Sequence, residues 1–192
     1  MKRSGFDVIP NGFSLLEVMI AAVVLSFGLL GLVAMQTQSK FSGYEARQRI
    51  IASWLANDMV ERIKVNRSIW EPQAGNTWIV NSASSGASAL PSCANADGTM
   101  SNCSDANMLA VDLYHWRQSL LGSGASEAGS TLKNPVGCII KGASNSLTVA
   151  IFWAGRNSSH DGSSSLALAT TNACGISGVD ITRRQYVLTT TL

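Results

Sequence analysis

The feature that most constrains this chain is an uncharged apolar run close to its N-terminus. From Val18 to Ser39 the sequence contains no charged residue. As a helix with a rise of about 1.5 Å per residue, the stretch from Val18 to Met35 spans roughly 27 Å, close to the thickness of a bilayer core. Because Lys2 and Arg3 precede the run, we expect a cytoplasmic N-terminus and an exported remainder.

A single carboxylate, that of Glu17, stands at the start of the run. Three interpretations are open. The segment is a plain signal anchor, a conventional signal peptide, or an anchor processed before the run, between Gly12 and Phe13. A signal peptide requires a small-residue cleavage site after the apolar run, which "GLVAMQTQ" does not supply, and it would leave Glu17 inside the apolar region.

Processing before the run accounts for the carboxylate. A charge inside a bilayer costs about 3 kcal/mol on insertion scales. Cleavage after Gly12 would create an α-amine on Phe13, one helical turn from Glu17. Opposite charges about 4 Å apart in an effective dielectric of about 20 attract by roughly 4 kcal/mol, which offsets that cost. If the amine belongs to a neighbouring subunit, Glu17 sets the axial position at which the two subunits pack.

The segment "GFSLLEVMIA" (12–21) resembles the class III signal of type IV pilins and of type II secretion pseudopilins. These families share a short basic leader that ends in Gly, then Phe, then Glu four residues later, then a hydrophobic helix. The resemblance implies cleavage after Gly12 by an inner-membrane prepilin peptidase and N-methylation of Phe13. It also implies that Glu17 pairs with the terminal amine of an adjacent subunit during assembly.

The helical pattern continues beyond the apolar run, through "YEARQRIIASWLANDMVERIKVNR" (44–67). Three- and four-residue steps separate its apolar residues Ile51, Trp54, Leu55, Met59 and Ile63, and helical spacing separates the opposite charges of Asp58 and Arg62 and of Glu61 and Lys64. No proline occurs between Phe13 and Arg67. We therefore predict one helix of roughly 55 residues, about 80 Å long. The carboxylates of Asp58 and Glu61 are interpreted as charges on the outer helix face and not as an acid/base pair.

A second helix is predicted over 105–122, "DANMLAVDLYHWRQSLLG". Its apolar face is formed by Leu109, Leu113, Trp116 and Leu120, with Asp105 as the N-terminal cap and Gly122 at the end. Asp112, His115 and Arg117 fall off that face, so His115 is interpreted as a solvated or capping side chain and not as a catalytic base.

Short runs rich in Val, Ile, Thr and aromatic residues predict strands. They are 76–80, 136–141, 147–155 and 184–192. The Ser-, Gly- and Asn-rich stretch 81–105 is predicted to be a loop held by its two cysteines.

Four cysteines in a chain that is expected to be exported favour two disulfides over free thiols. Three pairings of Cys93, Cys103, Cys138 and Cys174 are possible. We favour Cys93–Cys103 with Cys138–Cys174, because the first two share one loop. Each closed loop would contribute roughly 3–4 kcal/mol in the chain-entropy model. A metal site is not expected, since the chain has no CxxC motif.

The sequence contains little that resembles an active site. His160 and Asp161 lie near several serines, but adjacent residues in a polar turn do not have the separation that a catalytic triad needs. No phosphate-binding loop or dinucleotide fingerprint is present, and the net charge of +2 gives no basic stripe for nucleic acid. We expect no enzymatic activity, no cofactor and no nucleic-acid partner.

The order of predicted elements also resembles the pilin architecture: an α+β fold with a long N-terminal helix packed on a small antiparallel sheet domain. We expect a leader (1–12), a transmembrane and fibre-core helix (13–39), an amphipathic half of the same helix (40–68) and a periplasmic globular domain (69–192). Within the family, "WLANDMVERIKVNR" and "DLYHWRQSLL" resemble the PilV-type minor pilins, known as type IV pilus modification proteins.

That resemblance implies a subunit that primes or modifies assembly at or near the fibre tip and supports adhesion and twitching motility. The implied partners are prepilin peptidase, the major pilin, other minor pilins, a tip adhesin, the inner-membrane assembly platform and, before assembly, membrane lipid. Three alternatives stay open. One is a GspI-type minor pseudopilin of type II secretion, another is a membrane-anchored binding protein with no assembly role, and the third is a secreted enzyme.

Overall fold

The computed structural model describes residues 14–83, 88–122, 132–143, 145–155, 172–176 and 183–192. Within them the chain forms α1 (Leu15–Val65), α2 (Arg67–Trp70) and α3 (Asp105–Leu121), with a 3-10 turn over Glu71–Gln73 and two further helical residues at 172–173. The chain divides into two compact units between Tyr44 and Glu45. Helix α1 runs through both units, as expected from the absence of proline between Phe13 and Arg67.

The second unit is built on one four-stranded antiparallel sheet. In the sheet and along the chain the strands follow the order β1 (Thr77–Val80), β2 (Val136–Lys141), β3 (Ser146–Ala154) and β4 (Arg183–Thr191). Each strand begins and ends within one residue of its predicted bounds. The predicted fold class, α+β with a long N-terminal helix and a small antiparallel sheet domain, is confirmed.

The main core of this unit lies between the helices and the inner face of the sheet. From α1 it takes Gln48, Ala52, Leu55, Ala56, Met59, Val60 and Ile63. The cluster continues with Trp116 and Leu120 of α3 and with alternate residues of the strands, Ile139, Leu147, Val149, Ile151 and Trp153. Alternation along a strand sends every second side chain to one face, which explains the spacing of these strand residues.

One residue predicted for the buried face of α1 lies outside it. Trp54 is 59% exposed, whereas Leu55 and Met59 are buried. At about 100° of rotation per residue, Trp54 falls on the side of the helix opposite to the buried stripe. The prediction was wrong because a three-residue step from Ile51 was counted as part of the stripe, although the stripe is centred closer to Ala52.

Helix α3 has a different N-terminal cap from the predicted one. The cap is Ser104, whose hydroxyl oxygen accepts a hydrogen bond from the backbone N–H of Asn107 at 3.4 Å, and Asp105 is the first helical residue. Asp105 therefore contributes its charge to the first turn, where it favours the helix dipole. Gly122 ends the helix in a left-handed conformation (φ 75°), as predicted.

Close packing holds α3 against β2 and α1. A Cβ atom on Gly137 would lie 2.3 Å from Cη2 of Trp116, so only glycine allows this approach. On its other side, the indole N–H of Trp116 donates to the backbone carbonyl of Leu55 at 2.9 Å. One buried indole thus contacts both the sheet and the long helix.

Candidate functional site

Glu17 lies in the first turn of α1, which begins at Leu15. The backbone N–H groups of Glu17 and Val18 both donate to the carbonyl of Ser14, at 3.0 and 3.3 Å. Gly12 and Phe13, the predicted processing site, lie outside the described residues, so their cleavage and methylation stay predictions. A carboxylate in the first helical turn is favoured by the helix dipole, by about 0.3–1 kcal/mol at an exposed position.

The sequence around this turn also has a pattern that the sequence analysis did not use. Ser14 and Glu17 form an S-x-x-E sequence directly at the start of the helix. In a capping box the serine hydroxyl and the glutamate satisfy backbone N–H groups of the first turn, and glutamine can replace the glutamate. The S-x-x-E pattern therefore favours a local role for Glu17 in stabilising the helix start, beside the predicted role in assembly.

The large apolar side chains of α1 in the first unit are exposed. From Leu15 to Met35 their exposed fractions run from 54% for Val23 to 78% for Leu15. Here α1 contains a window of 18 residues with a mean hydropathy of 2.6 and none of it buried. An apolar surface of this extent is rare on a soluble monomer and indicates contact with lipid or with other helices.

The helix continues through Gly28 and Gly31 without interruption. Apart from the backbone of the helix itself, a Cβ atom added at either glycine would meet no described atom of this chain within 4 Å. Further along, Thr37 donates its hydroxyl to the carbonyls of Val33 and Ala34, at 2.8 and 2.9 Å. The Thr37 hydroxyl is thus satisfied by carbonyl groups of its own helix, within an otherwise apolar segment.

Polar contacts attach the other half of α1 to the sheet of the second unit. The guanidinium of Arg184 on β4 donates to both carboxylate oxygens of Glu45, at 3.1 and 3.4 Å. The indole N–H of Trp153 on β3 donates to the side-chain oxygen of the buried Gln48 at 3.1 Å. None of these four residues was predicted from the sequence to make such a contact. The burial of Gln48 could have been predicted from helical spacing, because Gln48 lies four residues before Ala52 on the same face of α1.

Asp112 is buried, although it lies off the predicted apolar face of α3. One carboxylate oxygen accepts hydrogen bonds from the side-chain amide of Asn66 at 2.7 Å and from the indole N–H of Trp70 at 3.2 Å. Asn66 lies between α1 and α2, and Trp70 is the last residue of α2, so the carboxylate ties α3 to this short helix and its start. The periodicity of α3 alone placed Asp112 away from the apolar face, and it did not include the polar donors that approach from another helix.

His115, which was predicted to be solvated or capping, is half-buried beside the ring of Tyr114. Burial lowers the pKa of His115, and the positive charge of Arg62 lowers it further, while the carboxylate of Asp112 acts in the opposite direction. The neutral imidazole is therefore favoured in the folded protein.

The part of the chain that the structure describes contains no metal-binding cluster. Within that part, no three His, Cys, Asp or Glu side chains lie close enough together to hold a metal ion. Asp58 and Glu61 form the predicted helical ion pairs, with Arg62 at 3.0 Å and Lys64 at 2.9 Å. His160 and Asp161 lie outside the described residues.

Both cysteine pairs are disulfide-bonded, Cys93 to Cys103 and Cys138 to Cys174, which is the pairing that the sequence analysis favoured. The first bond closes a short turn. Within it, the backbone N–H of Ser101 donates to the carbonyl of Cys93 at 2.8 Å.

Two family models match adjacent parts of the chain. The prokaryotic N-terminal methylation motif matches residues 10–33, and the type IV pilin Tt1218 family matches residues 34–114. The chain belongs to the type IV pilin-like family. Searches of curated proteins and of solved structures gave no match.

Several properties of this pilin follow from the family and the motif. The family is a structural one and is not enzymatic. The methylation motif implies processing by prepilin peptidase and assembly into pili. The motif covers Glu17 and most of the apolar segment, whose length and composition suit membrane anchoring.

Proposed function

We propose that this pilin is a minor type IV pilin that is held in the inner membrane as a precursor and then joins a fibre. In this proposal residues 1–12 are the leader, 13–39 the membrane and fibre-core segment, and 40–68 the amphipathic half of the same helix. Residues 69–192 form the exported domain. The observation that carries the proposal is the position of Glu17, in the first turn of a helix with a fully exposed apolar surface.

The assembly step depends on charge neutralisation. In lipid or among packed helices, an unpaired carboxylate is unfavourable by about 3 kcal/mol or more. The methylated amine of Phe13 on an adjacent subunit is a cation that can reach Glu17 only at one axial offset between the two helices. The apolar side chains supply most of the contact area between subunits, and the ion pair selects the offset.

The disulfides agree with an exported second unit. Bonds of this kind persist in oxidising compartments such as the bacterial periplasm. Together with Lys2 and Arg3 before the apolar segment, they support a cytoplasmic N-terminus and a periplasmic domain. The fibre then carries this domain outside the cell.

The minor role is supported by the resemblance of residues 54–67 and 112–121 to the PilV-type pilins. We therefore place the subunit at or near the fibre tip, with the major pilin, other minor pilins and a tip adhesin as neighbours. Prepilin peptidase and the inner-membrane assembly platform act on it before that. Adhesion and twitching motility are the processes that it supports.

The substitution Glu17→Gln tests the assembly role separately from the capping role. Glutamine keeps the S-x-x-Q form of the capping box but cannot pair with a cation. We expect the variant to accumulate in the membrane at the normal level while its amount in sheared fibres falls at least about tenfold, a difference of about 1.4 kcal/mol. Glu61→Gln, an exposed carboxylate later on the same helix, is the matched control and should leave incorporation unchanged.

Normal incorporation of Glu17→Gln would contradict the proposal and leave helix capping as the role of the residue. The same fractions also distinguish a pilus subunit from a subunit of a secretion pseudopilus. The methylation motif does not distinguish them, because it is common to both. If the wild-type chain is absent from sheared pili and its loss stops secretion of exported enzymes, the subunit is a minor pseudopilin.

A further inference from the structure

Two large apolar side chains of the second unit are exposed on one face of α1. Ile50 is 67% and Trp54 59% exposed. Because four residues separate them, they lie one helical turn apart on the same face. The buried residues of α1 around Ala52 belong to the core, and at about 100° of rotation per residue Ile50 and Trp54 fall on the opposite side of the helix. This pair is here called the outer patch.

The exposure of Trp54 sets it apart from the other tryptophans of the chain. Tryptophan is highly buried on average in folded proteins, because its large side chain removes about 150–250 Å² of surface from water. Trp78 is half-buried, and three tryptophans are fully buried: Trp70, Trp116 and Trp153. Trp54 lies outside that core. An exposed tryptophan beside a second apolar residue has the composition of a binding hot spot.

Polar residues border the outer patch on its own face. Arg47 lies three residues before Ile50, and Asn57 lies three residues after Trp54, so helical spacing places both next to the patch. Both are exposed. The side-chain amide of Asn57 donates to the backbone carbonyl of Ser53 at 2.8 Å. An apolar centre with a polar rim is typical of a protein–protein interface.

Membrane lipid is a poor cover for the outer patch. The uncharged run ends at Ser39, and from there to Trp54 an α-helix rises roughly 22 Å. The headgroup layer on each side of a bilayer core is only about 5–7 Å thick. Even for a helix tilted by about 40°, the rise along the membrane normal is roughly 17 Å. This distance favours a protein as the cover.

We propose that the outer patch binds the apolar stretch 15–35 of α1 in another pilin subunit of the fibre. The inference rests on the proposed function, because it requires assembly. The partner segment is identified by its chemistry, since most of the exposed large apolar side chains of the described residues lie within 15–35. The methylation motif covers most of this stretch, so other pilins with the motif carry a comparable segment.

This contact involves a different neighbour from the one that pairs with Glu17. The pair between the Phe13 amine and Glu17 displaces two parallel helices by about one turn, roughly 5 Å. To bring residues 15–35 of a partner level with the outer patch, the displacement must be roughly 22–58 Å in the direction in which α1 runs. The patch therefore supplies a second contact, with a subunit further along the fibre.

Trp54→Ser tests the patch in a folded protein, because the exposed side chain is not part of the core. We expect a normal amount of the variant in the membrane and at least about a fivefold fall in sheared fibres. Trp54→Phe keeps an aromatic ring and should restore most of the incorporation. Met100→Ser, which changes a 50% exposed apolar residue outside α1, is the matched control and should leave incorporation unchanged. Normal incorporation of Trp54→Ser would overturn the proposal.

Photo-crosslinking identifies the partner segment. The analogue p-benzoylphenylalanine is placed at position 54, or at position 100 as the control, in the full-length chain, and intact fibres are irradiated. We expect position 54, and not position 100, to be linked to a peptide from the N-terminal apolar helix of another subunit. A link from position 54 to lipid alone, or to the globular domain of a neighbour, would overturn the proposal.

The same fibres separate this inference from the proposed function. If the wild-type chain is absent from sheared fibres, the proposed function itself fails. If the wild-type chain is present and position 54 gives no link to a helix of another subunit, the outer patch alone is refuted.

Discussion

Replacing Asp112 by alanine should destabilise the second unit strongly, because the change leaves a buried donor without its acceptor. The indole N–H of Trp70 donates to this carboxylate at 3.2 Å, and Trp70 is fully buried. An unsatisfied buried donor costs about 1–3 kcal/mol. The lost hydrogen bond from Asn66 adds to this cost, although that half-buried amide can be hydrated. We therefore expect Asp112→Ala to lower the free energy of unfolding by about 2–4 kcal/mol.

Asp112→Asn removes the negative charge but keeps a hydrogen-bond acceptor, so it separates the effects of the two. Its side-chain oxygen still accepts a hydrogen bond, so the expected loss is about 1 kcal/mol. Thermal and urea unfolding of the full-length protein in detergent measures both losses. For a domain of this size, about 3 kcal/mol corresponds to a fall in Tm of roughly 6–12 °C. Removal of the negative charge should also lower the pKa of His115 further, which an NMR titration would show.

Asp105→Ala is the matched control, since Asp105 is an exposed carboxylate on the same helix. Its loss removes only a favourable interaction with the helix dipole, about 0.3–1 kcal/mol. If Asp112→Ala and Asp105→Ala cost the same, within about 0.5 kcal/mol, the buried acceptor has no special role and the reasoning fails.

Three further predictions concern packing and pH. Gly137→Ala should cost about 1–3 kcal/mol, because its Cβ would collide with the ring of Trp116; unfolding that matches the wild type would contradict the close packing. Trp54→Ser should change the free energy of unfolding by less than about 0.5 kcal/mol, since the side chain is exposed, and a loss of 2 kcal/mol or more would place it in the core. For His115 the folded-state pKa is the lower one, so the unfolded chain binds more protons near pH 6 and stability rises with pH there. The stability that the neutral imidazole provides is fully present above the unfolded-state pKa of about 6.5 and is lost as the pH falls through the folded-state pKa. In His115→Gln this titration is absent, so the free energy of unfolding should change less with pH in that window.

Periodicity predicted the elements well because each element buries one face. The three- and four-residue steps in α1 and the runs of Val, Ile and Thr in the strands reflect burial directly. The run 146–154 of β3 is apolar on both faces, since Val149 and Ile151 belong to the core on the helix side, while Ala150 and Phe152 belong to a separate buried cluster with Cys138 and Cys174. A strand in a sheet with one buried face alternates apolar and polar residues, so the nearly continuous hydrophobicity of β3 reflects burial on both faces.

Contacts in which a partner distant in sequence positions a residue could not be predicted. Asp112 is buried because Asn66 and Trp70 approach it from other helices, 46 and 42 residues away. The outer core could not be predicted either, because it brings Cys174 onto strand residues that lie more than 20 positions away in the sequence, such as Ala150 and Phe152. Glu17 was recognised from its charge, since a carboxylate beside an apolar run is conspicuous in any sequence.

The most direct test of the account is the mass of the N-terminal peptide of this pilin recovered from sheared fibres. The account predicts a peptide that begins at Phe13 and carries one added methyl group, because cleavage before Phe13 creates the amine that is proposed to pair with Glu17 of a neighbour, and the methylation motif implies the methyl group. Recovery from assembled fibres of a peptide that begins at Met1 would contradict it.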